Sequence, residues 1–153
     1  MFLAGLISGV IITIIAIIVI LPGKMFLVNE SNLGFEETAE KIVEQTAANN
    51  WSMPHQYDLQ ETMKKNGFDV LPVKVFSMCQ PQHANNVLQS DEEKLVSAIM
   101  PCRVAVYETK DGKTYISRLN AGLFSKFLGK KIKNIMGEVV VENEQILEPL
   151  IKN

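Results

Sequence analysis

The chain opens on an unbroken run of apolar or small residues, 2–21, and only afterwards interleaves polar with apolar positions. As a helix rising about 1.5 Å per residue, such a run reaches about 30 Å, the hydrocarbon thickness of a bilayer. The competing reading is a cleaved secretory signal, whose apolar core spans about 7–15 residues between a basic flank and a small-x-small cleavage motif. This run is longer and has neither flank, and Pro22-Gly23-Lys24 reads as a helix stop with one interfacial anchor. The pattern predicts an uncleaved single-pass anchor over residues 1–23 and one domain over residues 24–153. Within the run, Gly5, Gly9 and Thr13 recur at i+4 spacing, a face on which two helix backbones can approach closely in lipid. Lys24 on one flank is offset by Glu30, Glu36, Glu37 and Glu40, so the rule that cytoplasmic flanks are basic assigns no side to the domain.

Beyond the run the periods change repeatedly. Residues 25–28 read as a short strand. Phe35, Ala39, Ile42 and Val43 repeat at helical spacing behind Glu36 and Glu37, acids suited to a first turn, and Asn49-Asn50 ends that helix. Residues 51–57 look extended, with Pro54 arguing for an edge or a bulge. Asp58 and Glu61 form a capping-box pattern for a short helix stopped by Gly67. Residues 70–79 read as a strand with Val73, Val75, Ser77 and Cys79 on one face and Lys74, Phe76 and Met78 on the other. Pro81 suits the first turn of a helix burying Ala84, Val87 and Leu88. Asp91 is placed to cap another helix, carrying Leu95, Val96 and Ile99 and ended by Pro101. Residues 102–108 and 114–119 flank Lys110-Asp111-Gly112-Lys113, a hairpin signal. An amphipathic helix over 123–136, closed by Gly137, and a last helix from about Asn143 complete the chain. Strands interleaved with helices predict an α/β (α+β) two-layer domain, a mixed sheet with helices on one face.

Composition narrows the function classes. Fifteen basic and 17 acidic residues leave a formal net charge of −2, no footprint for nucleic acid. There is no phosphate-binding glycine loop, no H-E-x-x-H and no G-x-S-x-G. No catalytic residue and no metal ligand set is assigned, and the cofactor is left unknown. The domain's partners are expected to be the lipid bilayer, a second copy and a membrane complex. Lys126, Lys130, Lys131 and Lys133 read as a solvated helix face, with docking on anionic headgroups as the alternative.

Two cysteines, Cys79 and Cys102, are too few for a disulfide scaffold and are compatible with one bridge, two free thiols or a functional pair. Cys79 closes one strand just before Pro81, and Cys102 opens another between Pro101 and Arg103. Free backbone N–H groups at a helix start, together with Arg103, would favour a thiolate; the alternative is a small buried hydrophobe. His83 lies four residues after Cys79, so a triad with some carboxylate can be drawn, although nothing in the sequence orders a base. Met78, Cys79, His83, Met100 and Cys102 are also soft-metal or haem ligand types, and methionines more often fill cores.

The segments Cys79-Gln80-Pro81-Gln82-His83-Ala84, then Met100-Pro101-Cys102-Arg103 running into Val106-Tyr107-Glu108, then Asp111-Gly112-Lys113 and Tyr115-Ile116-Ser117, resemble the domain-of-unknown-function 302 family over residues 32–120. The stretch from Asn120-Ala121-Gly122-Leu123 to Met136-Gly137 resembles its membrane-anchored branch. The resemblance implies a compact α/β domain with a tendency to dimerise and points to Cys79, Pro81, Pro101 and Cys102. It carries no reaction, and His83 falls at a variable position of the first motif. The expected function is a membrane-tethered, non-catalytic binding or accessory domain, homodimeric or part of a membrane complex. The alternative is a thiol-dependent redox or sulfur-handling protein using Cys79 and Cys102.

Overall fold

The computed structural model describes residues 2–152, with side-chain surroundings from Gly9 onward. Helix α1, Phe2–Ile20, takes up most of the apolar run and ends in a 3-10 turn at Pro22–Lys24. Among the described residues no helix is long and apolar enough to cross a membrane, so the anchor expected over residues 1–23 is not shown. Gly5 of the expected helix-dimer face lies outside the described surroundings. Thr13 Oγ1 donates to the Gly9 carbonyl at 2.9 Å.

The domain that follows runs β1 (Phe26–Glu30), α2 (Phe35–Ala48), β2 (Ser52–Asp58), α3 (Leu59–Lys65), β3 (Val73–Cys79), α4 (Pro81–Leu88), β4 (Cys102–Glu108), β5 (Thr114–Leu119), α5 (Ala121–Phe124) and α6 (Gly129–Leu147). The five strands form one sheet in the order β1-β5-β4-β3-β2. Every neighbouring pair is antiparallel, which corrects the expected mixed sheet. The reason lies in the connections. Both β3 and β4 reach the end of the sheet that holds Cys79 and Cys102, and the helical excursion between them returns the chain to that same end, making an enlarged hairpin. The α2 crossover carries the chain from one edge strand to the other, so the two strands it joins never become neighbours.

Local chemistry explains most elements. Asp58 Oδ1 accepts from the Glu61 N–H at 2.7 Å and caps α3. Pro81 occupies the first turn of α4. Gly112 supplies φ +77° in the hairpin turn, a conformation that only glycine adopts without strain. The register of β2 slips between Ser52 and His55 around Pro54 on the sheet edge.

Two helices differ from expectation. Asp91 caps no helix; it pairs with Lys94 at 2.5 Å, and Lys94–Ile99 is a 3-10 segment whose cap residue is Glu93. The expected pair of C-terminal helices is a short α5, a 3-10 turn at Ser125–Phe127 and then one continuous α6. Gly137 sits inside α6 instead of closing it, because Ile132, Met136, Val139, Asn143, Ile146 and Leu147 form one buried stripe across it. That burial outweighs the ~0.5–1 kcal/mol a mid-helix glycine costs relative to alanine.

The main core lies between the sheet's inner face and α2 and α6: Phe76, Met78, Val104, Val106 and Ile116 pack against Ile42, Val139 and Ile146. A smaller cluster of Val87, Val96, Ile132 and Met136 joins the connection between β3 and β4 to the first half of α6.

Candidate functional site

The end of the sheet where β3 stops and β4 starts gathers the residues that the sequence singles out. Met78 pairs with Cys102 across the two strands. Both cysteines are free and half-buried. Cys79, Cys102, Met78, His83, Met100, Pro101 and Trp51 all line one small cavity of about 40 Å³, room for little more than a water or two. Pro81 instead opens α4 on the exposed side. The structure therefore unites both thiols, His83 and Pro101, and adds Trp51, which no motif in the sequence marks.

Arg103 is not part of this group. Successive side chains of a strand point to opposite faces: Cys102 packs toward the core, whereas Arg103 is exposed on the other face of β4, opposite Ser77. Arg103 therefore does not favour a thiolate at Cys102. Burial pushes the Cys102 thiol up to about 11, and the neighbouring Cys79 adds to the shift. Burial also raises Cys79, against a lowering by the Ser52 hydroxyl. Both directions oppose the expected depressed thiol, since burial in low dielectric disfavours the charged form.

His83 has the partner that sequence reasoning lacked. Its Nε2 lies 2.8 Å from Glu142 Oε1 on α6, and Trp51 Nε1 donates to Glu142 Oε2 at 3.0 Å. The hydrogen bond from His83, then that from Trp51, hold the Glu142 carboxyl below its usual range. Nδ1 of His83 is buried without a hydrogen-bond partner among the described residues, 3.7 Å from Glu138 Oε2. Neither sulfur is hydrogen-bonded to His83 among the described residues, so the thiol–imidazole pair of a hydrolase is not assembled. Among the described residues no group of three or more His, Cys, Asp or Glu could hold a metal.

A second, larger cavity of about 380 Å³ wraps the same end of the sheet on the β4–β5 side. Its wall is mostly apolar: Ile99, Met100, Phe124, Leu128, Met136 and Val139 contribute. Arg118, Asn143 and Glu144 also line it. Arg118 is 7% exposed; its Nε donates to Glu144 Oε1 at 2.7 Å, its Nη2 to Glu144 Oε2, and its Nη1 to Asn29 Oδ1 at 2.9 Å. Phe26, Leu27, Asn120 and Ala121 place the cavity beside the start of β1, just after the turn that follows α1. There Asn120 donates to the Lys24 and Met25 carbonyls, at 3.0 and 2.8 Å. No sequence motif announces this cavity, because its wall comes from distant segments. The lysine cluster is split: Lys131 pairs with Glu93, and Lys126, Lys130 and Lys133 are exposed.

A family profile described as "Domain of unknown function DUF302" matches residues 28–150. The chain belongs to that family. The DUF302 match extends beyond residues 32–120, taking in the end of β1 on one side and α6 on the other, so both cavities lie almost wholly within the DUF302 domain. The crystal structure of an uncharacterized conserved DUF302 protein from Bacillus stearothermophilus is similar to this chain at a TM-score of 0.73, with 22% identity, over 82% of this chain and 98% of that one. At that identity the likeness concerns the fold alone. No curated protein matches the chain.

Proposed function

We propose that this DUF302 chain is a membrane-tethered, non-catalytic binding domain that takes up a small, largely apolar molecule. The observation that carries the reading is the cavity of about 380 Å³ beside the start of β1. Its size falls in the range of about 300–1,000 Å³ typical of small-molecule sites, and an apolar wall with a few polar groups is their usual composition. The tether rests on the uncharged run over residues 2–21. Self-association rests on the i+4 spacing of Gly5, Gly9 and Thr13 in the apolar run. Carbonate extraction of membranes tests the tether: release of the chain into the soluble fraction would refute it. Mass spectrometry of molecules co-purifying in mild detergent tests the binding role, which predicts a stoichiometric apolar species.

A thiol-dependent role remains the second reading, favoured by the two free cysteines lining one small cavity. The raised thiols weigh against it. Rapid native alkylation near neutral pH would reinstate it.

A further inference from the structure

The cavity beside the start of β1 also has a charge that its apolar wall does not explain. Two cations line it, Arg103 and Arg118, against one carboxylate, Glu144. Arg118 is consumed by its paired hydrogen bonds to Glu144 and its bond to Asn29. Arg103 has no ion-pair partner among the described residues and stands exposed at the rim, on the outer face of β4. The lining therefore carries one uncompensated positive charge, held at the water-facing edge of an apolar space. Ser117 lies on the same outer face, paired with Ala105 across β4 and β5, and its hydroxyl makes no hydrogen bond among the described residues.

We propose that the cavity binds a single-chain, monoanionic amphiphile, such as a lipid-derived carboxylic acid, with the chain in the apolar space and the carboxylate on Arg103. This rests on the binding role proposed above and specifies its ligand. A guanidinium offers a carboxylate two parallel N–H donors, which a neutral head cannot exploit. An apolar tail recovers its transfer free energy as it leaves water, and the buried Met136 and Val139 with the half-buried Phe124 and Leu128 offer it that contact. A neutral lipid would leave Arg103 without a partner, and a dianionic head would bring one charge too many to a lining with one to offer. Delivery needs no long aqueous path, since Phe26 lines the cavity six residues after Ile20, the last residue of the helix proposed to lie in the bilayer.

The test uses the full chain in phosphatidylcholine nanodiscs and a diazirine-bearing dodecanoate as photoprobe. Adducts are expected on the lining segments, residues 98–103, 120–128 and 136–144. Dodecanoate should compete at least ten-fold better than dodecanol, and Arg103→Gln should erase that preference while leaving dodecanol competition unchanged. Arg103 is exposed and unpaired, so the variant should keep the wild-type far-UV circular dichroism. Adducts confined to α1 or spread evenly over the chain would overturn both this proposal and the binding role. Cavity adducts with equal competition by acid and alcohol, or an acid preference that survives in Arg103→Gln, would leave the binding role standing and overturn the anionic ligand.

Discussion

Glu142 joins His83 to Trp51: one carboxylate oxygen lies 2.8 Å from His83 Nε2 and the other accepts from Trp51 Nε1 at 3.0 Å. An ionised carboxylate is acceptor-only, so His83 donates from Nε2 and Nδ1 is left as the unpartnered nitrogen. The bridge ties α6 to α4 and to Trp51 just before β2, and both His83 and Trp51 line the smaller cavity.

The carboxyl of Glu142 is held below its ordinary 4.5, so the folded state binds its proton less readily than the unfolded chain. Its contribution is present above about pH 4.5 and is lost as pH falls through the lower, folded value. Glu142→Gln should cost about 1 kcal/mol at neutral pH, a discounted figure because the carboxylate is 37% exposed. Thermal unfolding of both proteins from pH 7 to pH 3 should show the gap closing at the acid end; a gap independent of pH would mean that the ionised carboxylate contributes nothing to the bridge.

Cys102 behaves in the opposite sense. Its folded pKa, about 11, lies above the ordinary 9.0, so the stability of the neutral thiol is intact below pH 9 and declines between about pH 9 and 11. Native alkylation by iodoacetamide at pH 7 should be slower than for an unfolded control. Cys102→Ala should remove part of the alkaline destabilisation seen by urea unfolding. Alkylation of the native protein at the unfolded rate would show the thiol to be accessible and reactive after all.

Arg118 and Glu144 form a two-pronged pair in the wall of the cavity of about 380 Å³. Arg118→Ala strands Asn29 and a carboxylate that is 38% exposed, and should cost about 1.5–3 kcal/mol. Arg118→Lys should recover little, because an ammonium cannot reproduce the planar fork. Urea midpoints compare the three proteins; a lysine variant of full stability would show that charge alone suffices.

Gly137 is exposed within α6, and a Cβ built there meets nothing within 4 Å. Gly137→Ala should stabilise the domain by about 0.5–1 kcal/mol and raise Tm by about 1–4 °C. An unchanged or lower Tm would indicate that the glycine permits a bend or a contact that alanine blocks.

What the sequence by itself determined is local. The cap at Asp58, the proline opening α4, the bulged edge strand at Pro54 and the Asp111-Gly112 hairpin each depend on a few neighbouring residues, and all are where the chain chemistry puts them. The thiol-bearing strand ends were legible for the same reason. The tertiary structure decided everything that depends on which segments meet. Sheet direction followed from where connections return, which residue spacing does not encode. Gly137 stayed helical because a stripe buried against the sheet outweighed its propensity. Arg103, adjacent to Cys102 in sequence, was sent to the opposite face by strand alternation. His83 and Trp51 met at Glu142 across 59 and 91 positions of chain. Burial, a property of the packed domain, set the direction of both thiol shifts, because desolvation acts on a group through atoms brought from elsewhere in the chain.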